Sequence, residues 1–523
     1  MSVAEALSDE PMPAAEAGHP TRAISVETIS MTKRFGGFTA LDNCSINIPA
    51  GTVHALLGEN GAGKSTLVKC IMGFYQPTEG QLLVEGKEAV IASPRDAHTL
   101  GLGMVYQHFT LIPSLTAMEN LVISRPDVPA VIDWRTEKRR LEEFLSRMPF
   151  RVPLDRPVAE LAAGEKQKLE ILKQLYLESR FLILDEPTSV LTPGEAEEVL
   201  GLLKGMAENQ ELTILMITHK FREVEAFAEA VSVLRRGKLT GSGLTKDLTR
   251  QQMAAMMIGD KTIAPVAKRE GAPDLDKPVL KLEQLAVDDL SGLKSINIKD
   301  LVVHSREIVG VAGVSGNGQK ELADALGGHL AAKGGTIVVD GSAYSGTREE
   351  TRSHQVRFIP EEPLRNACAP RMSVAENMSF RTFDEKGDST VVWLRPGLIR
   401  SYARKLVELF GVKTASIAAP ISTLSGGNVQ RAVLARELTG DVDLLIVTNP
   451  CFGLDFSAVA EIRSQIVAAR NGGTAVLLIS EDLDEILELS DRILVMSEGE
   501  IVYETPRATA DIAAIGQHMA GHH

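Results

Sequence analysis

The sequence predicts an α/β protein made of two tandem domains. Three observations carry this. Three blocks of sequence recur in the same order at an offset of about 260 residues. Short Val/Ile/Leu runs end in Gly-rich turns and lead into longer segments of helical spacing, as a mostly parallel sheet flanked by helices requires. A glycine-rich loop suited to phosphate lies between one such run and one such segment.

The repeat fixes the domain plan. GTVHALLGENGAGKSTL (51–67) aligns with REIVGVAGVSGNGQKEL (306–322), and ELAAGEKQKLEILKQLYLESRFLILDEP (160–187) aligns with TLSGGNVQRAVLARELTGDVDLLIVTNP (423–450). The third block, LTILMITHKFREVEAFAEAVSVLRRGKL (212–239), aligns with TAVLLISEDLDEILELSDRILVMSEGEI (474–501). Between the copies lies DKTIAPVAKREGAPDLDKP, rich in Pro and charge and without apolar periodicity. The expected plan is therefore a flexible tail over 1–22, a first domain over 23–259, a linker over 260–278 and a second domain over 279–519. The early part of each half, such as GQLLVEGKEAV, alternates as an antiparallel hairpin does, and 127–156 reads as helices inserted between core strands.

A chain of 523 residues exceeds what one hydrophobic core holds, and 44% apolar with 24% charged residues is ordinary globular composition. With 55 basic against 69 acidic residues the net charge is −14, which argues against sequence-independent binding to nucleic acid. Cys44, Cys70, Cys368 and Cys451 lie far apart with no CxxC pair, so a reduced setting is expected rather than a zinc site or a disulfide framework. No apolar run is long enough to cross a membrane, and the acidic, Pro/Ala-rich start reads as neither signal peptide nor anchor.

The first half carries a complete phosphate grip. Gly58, Glu59, Asn60, Gly61, Ala62, Gly63, Lys64 and Ser65 satisfy GxxxxGK[ST], followed by Thr66 and an apolar helix. Glycines let successive backbone N–H groups face one anion, the helix N-terminus adds its dipole, Lys64 reaches the terminal phosphates and Ser65 ligates Mg²⁺. FLILDEP places Asp185 and Glu186 at the C-terminal end of an apolar strand, where open parallel sheets bind ligands. Asp185 would hold Mg²⁺, and Glu186 would orient or deprotonate the attacking water. Gln107 and His219 also end apolar runs; as isolated residues each would more often be a satisfied strand-end group.

The series phosphate loop, strand-ending Gln, LAAGEKQ, DEP and strand-ending His resembles the nucleotide-binding domain of ABC transporters over nearly the whole of both halves. The twin arrangement resembles the ATP-binding subunit of simple-sugar and nucleoside importers, with GMVYQHFTLIPSLTAMENLVIS, LEILKQLY and LLISEDLDEILELSDRI closest to the nucleoside-type branch. The resemblance implies two P-loop NTPase domains of the ABC type, each a RecA-like core with an antiparallel β subdomain and a helical subdomain. It implies that Gln107 touches Mg²⁺ and a membrane partner, that His219 contacts the γ-phosphate, and that Phe35 stacks on adenine. ATP would be sandwiched between the phosphate loop of one half and the LSGGQ-like signature of the other.

Scored that way the two sites differ. Site one joins the first-half residues to Leu424, Ser425, Gly426, Gly427 and Asn428 and has every function. Site two joins Gly313 to Gly318, with Gln319 and Lys320 in place of Lys and Ser/Thr, to a signature with Ala162 for Ser and an acid at Glu165; Thr448 and Asn449 replace the two acids and Glu481 replaces the His. One hydrolytic and one degenerate site are expected. The implied partners are two integral-membrane permeases, contacted near Gln107 and Glu361, and indirectly an extracytoplasmic solute-binding protein, which places the chain on the cytoplasmic face of the cell membrane. The competing reading is a soluble twin-cassette ATPase acting on the ribosome; the short linker, acidic charge and single competent site disfavour it.

Overall fold

A computed structural model describes residues 22–218, 220–259, 266–289, 292, 294–383, 394–452, 454 and 456–519. The tail expected over 1–22 lies outside these residues apart from Arg22, as do 260–265 of the expected linker.

Each half is built on a six-stranded sheet with the same strand order. In the first half it runs Lys238–Leu244, Ala230–Arg235, Val53–Leu57, Thr213–Ile217, Phe181–Asp185, Leu102–Val105; all neighbours are parallel except the hairpin at the first edge. In the second half it runs Glu500–Pro506, Arg492–Ser497, Ile308–Ala312, Ala475–Ser480, Leu444–Thr448, Val356–Ile359, again parallel but for the edge hairpin. The duplication read in the sequence is thus a duplication of topology.

The continuous apolar runs follow from burial on both faces. Successive side chains of a strand point to opposite faces. Phe181 and Ile183 accordingly enter one core, shared with the phosphate-loop helix, while Leu182 and Leu184 enter another under the inserted helices. The second half repeats this with Leu444 and Ile446 on one side and Leu445 and Val447 on the other. All eight are fully buried, each contributing about 1.5–3 kcal/mol relative to exposure.

A second, antiparallel sheet covers one side of each half: Phe38–Ile48, Val26–Phe35, Glu79–Val84, Lys87–Glu88 in the first, and Ser295–Ser305, Asp274–Asp288, Gly334–Val339, Ser342–Ala343 in the second. The hairpin expected at GQLLVEGKEAV is present. The inserted segment of the first half holds the helix Trp134–Ser146, started by the Asp133 carboxylate accepting from Arg135 N and Thr136 N.

The joining segment is less linker-like than its composition suggests. Its end, from Asp274, already belongs to a strand of the second half. Ahead of that, Ala267 N donates to Ser464 Oγ at 3.2 Å, Glu270 N to Asn471 Oδ1 at 2.9 Å, and Arg470 Nη1 to the Glu270 carbonyl at 2.7 Å. Arg470 is fully buried and also pairs with Asp491 at 3.1 Å. These contacts dock the segment onto the second half largely through its backbone.

Candidate nucleotide site

Val53–Leu57, buried throughout, feeds the loop and the helix Lys64–Ile71. The turn between them needs glycine at two places. A Cβ on Gly58 would stand 2.5 Å from the Leu234 carbonyl oxygen, and one on Gly63, whose φ is +106°, would stand 2.8 Å from the Ala40 carbonyl oxygen. Both obstacles are backbone, so the loop is pressed against its own scaffold. Lys64 Nζ lies over the loop, donating to the carbonyls of Gly58 at 2.6 Å and Glu59 at 3.2 Å. Burial lowers its pKa, opposed by the charges of Glu186, Asp185 and Glu59. Asn60, Gly61 and Ser65 are exposed and Thr66 half-buried, on the open side of the loop.

The parallel register brings the other polar groups to the same edge. Leu102–Val105, Phe181–Asp185 and Thr213–Ile217 end together, so Gln107, Asp185 and Glu186 converge although 78 residues of sequence separate Gln107 from Asp185. Gln107 Nε2 donates to Glu186 Oε2 at 3.1 Å. Glu186 N donates to the Ile217 carbonyl at 2.9 Å while Glu186 holds a left-handed φ of +51°. A residue other than Gly, Asn or Asp is uncommon there, so the position carries backbone strain. Asp185 has a raised pKa, caused first by burial and then by the adjacent Glu186, with Lys64, Lys69 and His108 opposing. A buried acid disfavoured as an anion and facing an ammonium suits a divalent cation, and the glycine cradle suits a polyphosphate. His219 lies outside the described residues.

Phe35 stands at the exposed end of a strand, 43% accessible, rather than in the core. It meets Tyr75 edge-on with centroids 5.2 Å apart, and Lys33 Nζ sits 5.2 Å from the Phe35 centroid and 5.8 Å from that of Tyr75. Tyr75 and Lys33 were not singled out in the sequence. Lys33 is two residues from Phe35 on one strand, so the period of two was a usable signal; for Tyr75 there was none.

The second half keeps the shape and loses the chemistry. Gly318, with φ +107°, starts the helix Gln319–Leu326 as Gly63 does its own. Gln319 is buried and its Nε2 donates to the Val314 carbonyl at 3.1 Å, the counterpart of the Lys64 contact with Glu59. A neutral amide therefore fills the place of the ammonium. Lys320 is exposed at the following position. Asn449 keeps the left-handed φ, +42°, and the backbone bond of Glu186, donating to the Ile479 carbonyl at 2.8 Å. Its Oδ1 accepts from Glu481 N at 2.9 Å, and Thr448 Oγ1 donates to the Ile359 carbonyl at 3.4 Å. Burial, followed by a smaller effect from the Glu361 charge, raises the Glu481 pKa, while a hydrogen bond with Ser315 of the loop opposes this.

The signatures are helix N-termini. Ser425 precedes Gly426–Glu437, with Ser425 and Gly426 exposed and Gly427 half-buried. Asn428 Nδ2 donates to Ser425 Oγ at 2.8 Å, and its Oδ1 accepts from Lys413 N at 2.8 Å, both within the second half. In the first half Glu165 Oε2 accepts from Ala162 N at 2.8 Å, so the chain's own carboxylate occupies the position an anion would take at that terminus. Among the described residues, Arg222 of the first half pairs with Asp484 of the second at 2.9 Å. No helix among the described residues is long and apolar enough to cross a membrane.

Residues 41–189 and 296–451 each match the ABC transporter family. Among curated relatives, a glucose import ATP-binding protein, TsgD13, of Haloferax volcanii is 39% identical over 96% of this chain and 96% of its own length. A nucleoside import ATP-binding protein, NupA, of Lactococcus lactis is 38% identical over 95% of this chain and 98% of its own. A guanosine import ATP-binding protein, NupO, of Bacillus subtilis is 34% identical over 95% and 97%. Among solved structures, an archaeal ribosome recycling factor in complex with a ribosomal stalk protein matches 91% of this chain and 90% of its own with TM-score 0.60 at 18% identity, a likeness of fold alone.

Proposed function

This chain belongs to the ABC transporter family, and we propose that it is the ATP-hydrolysing subunit of an importer of nucleosides, purines or simple sugars, working through one competent composite site. The relatives matched end to end bear the names of glucose, nucleoside and guanosine import ATP-binding proteins, which supports the solute class. The observation that carries the one-site reading is the asymmetry of chemistry on a shared scaffold. Lys64, Asp185 and Glu186 converge in the first half, whereas Gln319, Thr448 and Asn449 stand at the same places in the second.

In this reading the Gly58–Thr66 loop and Lys64 hold the triphosphate, and Phe35 offers its ring to adenine. Ser65, Gln107 and Asp185 would hold Mg²⁺, which neutralises phosphate charge. Glu186 orients the attacking water and takes up its proton. Gln107 meanwhile links Glu186 to the membrane partner. His219, Ser425, Gly426, Gly427 and Asn428 contact the γ-phosphate, the last four from the other half. Closing the halves on ATP would then pull on two permeases seated near Gln107 and Glu361, and hydrolysis would release them. The chain would work peripherally, at the cytoplasmic face of the membrane, with a solute-binding protein delivering cargo outside.

Glu186→Gln is the direct test. It keeps size and the left-handed backbone but removes the base, so steady-state ATP hydrolysis should fall about 10²- to 10⁴-fold; unchanged turnover would refute the assignment.

A further inference from the structure

The helices that follow positions 219 and 481 are copies of one another, yet only half of their surface has been copied faithfully. ITHKFREVEAF (217–227) aligns with ISEDLDEILEL (479–489). The inward face is the same in both. Thr218 Oγ1 donates to Glu223 Oε2 at 3.0 Å and Ser480 Oγ to Glu485 Oε2 at 2.7 Å, while Val224 and Ile486 are fully buried. The outward face is reversed in charge: Lys220 and Arg222 in the first copy, Asp482 and Asp484 in the second.

Where two copies of a domain meet about a pseudo-two-fold axis, equivalent positions face each other only close to that axis, while elsewhere position i of one copy meets a different position j of the other. Arg222 and Asp484 are equivalent, and they do meet, Nη1 to Oδ1 at 2.9 Å. Lys220 and Asp482 are engaged mainly within their own halves, Lys220 with Thr188 and Asp482 with the start of its helix. They still add to the field: burial raises the Asp484 pKa above its ordinary value, Arg222, Lys220 and Arg463 oppose this, and Asp482 adds to it. On the first-half side Arg250, paired with Glu225, also feels Asp484. An apolar contact lies nearby in the fold, where Ile512–Met519 of the second half packs on Pro193–Glu208 of the first.

We propose that Arg222 and Asp484 form a charge-matched contact by which a first half pairs with a second half rather than with another first half, the joining segment making that second half the one of the same chain. Pairing of two first halves would set Arg222 against Arg222, and pairing of two second halves would set Asp484 against Asp484, so like pairings are repelled and the unlike pairing attracted. A homodimer built from identical domains cannot carry such a device, because equivalent positions then bear the same charge; duplication within one chain makes it available. Its use rests on the one-site reading above: only the unlike pairing sets the intact phosphate loop of the first half against the intact signature of the second. Two first halves would offer Ala162 and Glu165 to each other's phosphates.

Both side chains are about half exposed, 49% and 42%, so the expected effect is that of a surface pair. Arg222→Asp and Asp484→Arg should each lower ATP turnover about two- to fivefold at low salt, and the double reversal should return it to within about twofold of the parent. At about 1 M salt, where the screening length is about 3 Å, the single-variant losses should shrink. A readout independent of hydrolysis uses Arg222→Lys: a zero-length carbodiimide should join position 222 to Asp484, and in a mixture of isotopically light and heavy chains the linked peptides should be all light or all heavy. No such link, a substantial light–heavy product, or a double reversal no better than the singles would overturn the proposal. Because the cross-link needs no turnover, an inactive parent protein would count against the proposed function without touching this test.

Discussion

Gly63 and Gly318 are equivalent, start equivalent helices and share a left-handed φ, +106° and +107°. Substituting alanine at each separates fold from function. A Cβ at Gly63 meets the Ala40 carbonyl oxygen at 2.8 Å, and ordinary contact begins near 3.4 Å, so the loop must yield by about 0.6 Å. At Gly318 the nearest atoms are Ile296 Cγ2 at 2.5 Å and Met496 Cε at 2.8 Å, both on buried side chains, with the Gly499 Cα next at 3.2 Å. The left-handed backbone costs an L-residue about 1–2 kcal/mol and overpacking about 1–3 kcal/mol. Each variant should therefore lose about 2–5 kcal/mol and melt about 4–20 °C lower by calorimetry. Turnover should part company. A 1 Å misplacement can cost about a hundredfold, so Gly63→Ala should lose about tenfold or more in ATP hydrolysis below its melting point, and Gly318→Ala no more than about twofold. Equal losses of turnover, or full activity in Gly63→Ala, would refute the claim that only the first loop holds the reacting phosphate.

Other expectations follow from the same geometry. Asp185 is held above the usual carboxylate range chiefly by burial, so stability falls as pH rises from its unfolded pKa through the raised folded one; Asp185→Asn should melt higher at pH 7 while losing Mg²⁺-dependent hydrolysis. His54 is buried, bonded through Nε2 to Ser232 Oγ at 2.9 Å, and pushed down to about 4 by burial. Its unfolded form protonates first as pH falls below about 6.5, so the parent should lose about 2 kcal/mol between pH 7 and pH 5 from this group, a loss absent in His54→Gln when measured by denaturant titration. Glu165→Ala removes the acceptor for Ala162 N and should cost about 0.5–1 kcal/mol by thermal melting, with turnover within about twofold of the parent.

The sequence carried the local parts of this account well. A phosphate loop is contiguous, its strand and helix are read from neighbouring residues, and the repeat announces that the second half shares the topology. The strand-ending positions of Gln107, Asp185 and Glu186 were legible for the same reason, but the Gln107–Glu186 bond was not, because it depends on the order of strands in the sheet. Nor was the mimicry in the second half: Gln319 reads as a lost lysine, and only its bond to Val314 shows that the loop keeps its shape without the charge. The contacts of the segment 266–278 were not legible, because Arg269 reaches the Leu489 carbonyl and Arg470 the Glu270 carbonyl across about 200 residues of sequence. Arg222 and Asp484 looked like ordinary exposed helix residues; what distinguishes them is the opposite half facing each.

The most direct test of the central claim is the pair Lys64→Ala and Gln319→Ala, two substitutions at equivalent loop positions, compared by steady-state ATP hydrolysis of the whole chain. One competent site predicts that Lys64→Ala abolishes turnover, a loss of about a hundredfold or more, and that Gln319→Ala stays within about twofold of the parent. Comparable losses from both would contradict it.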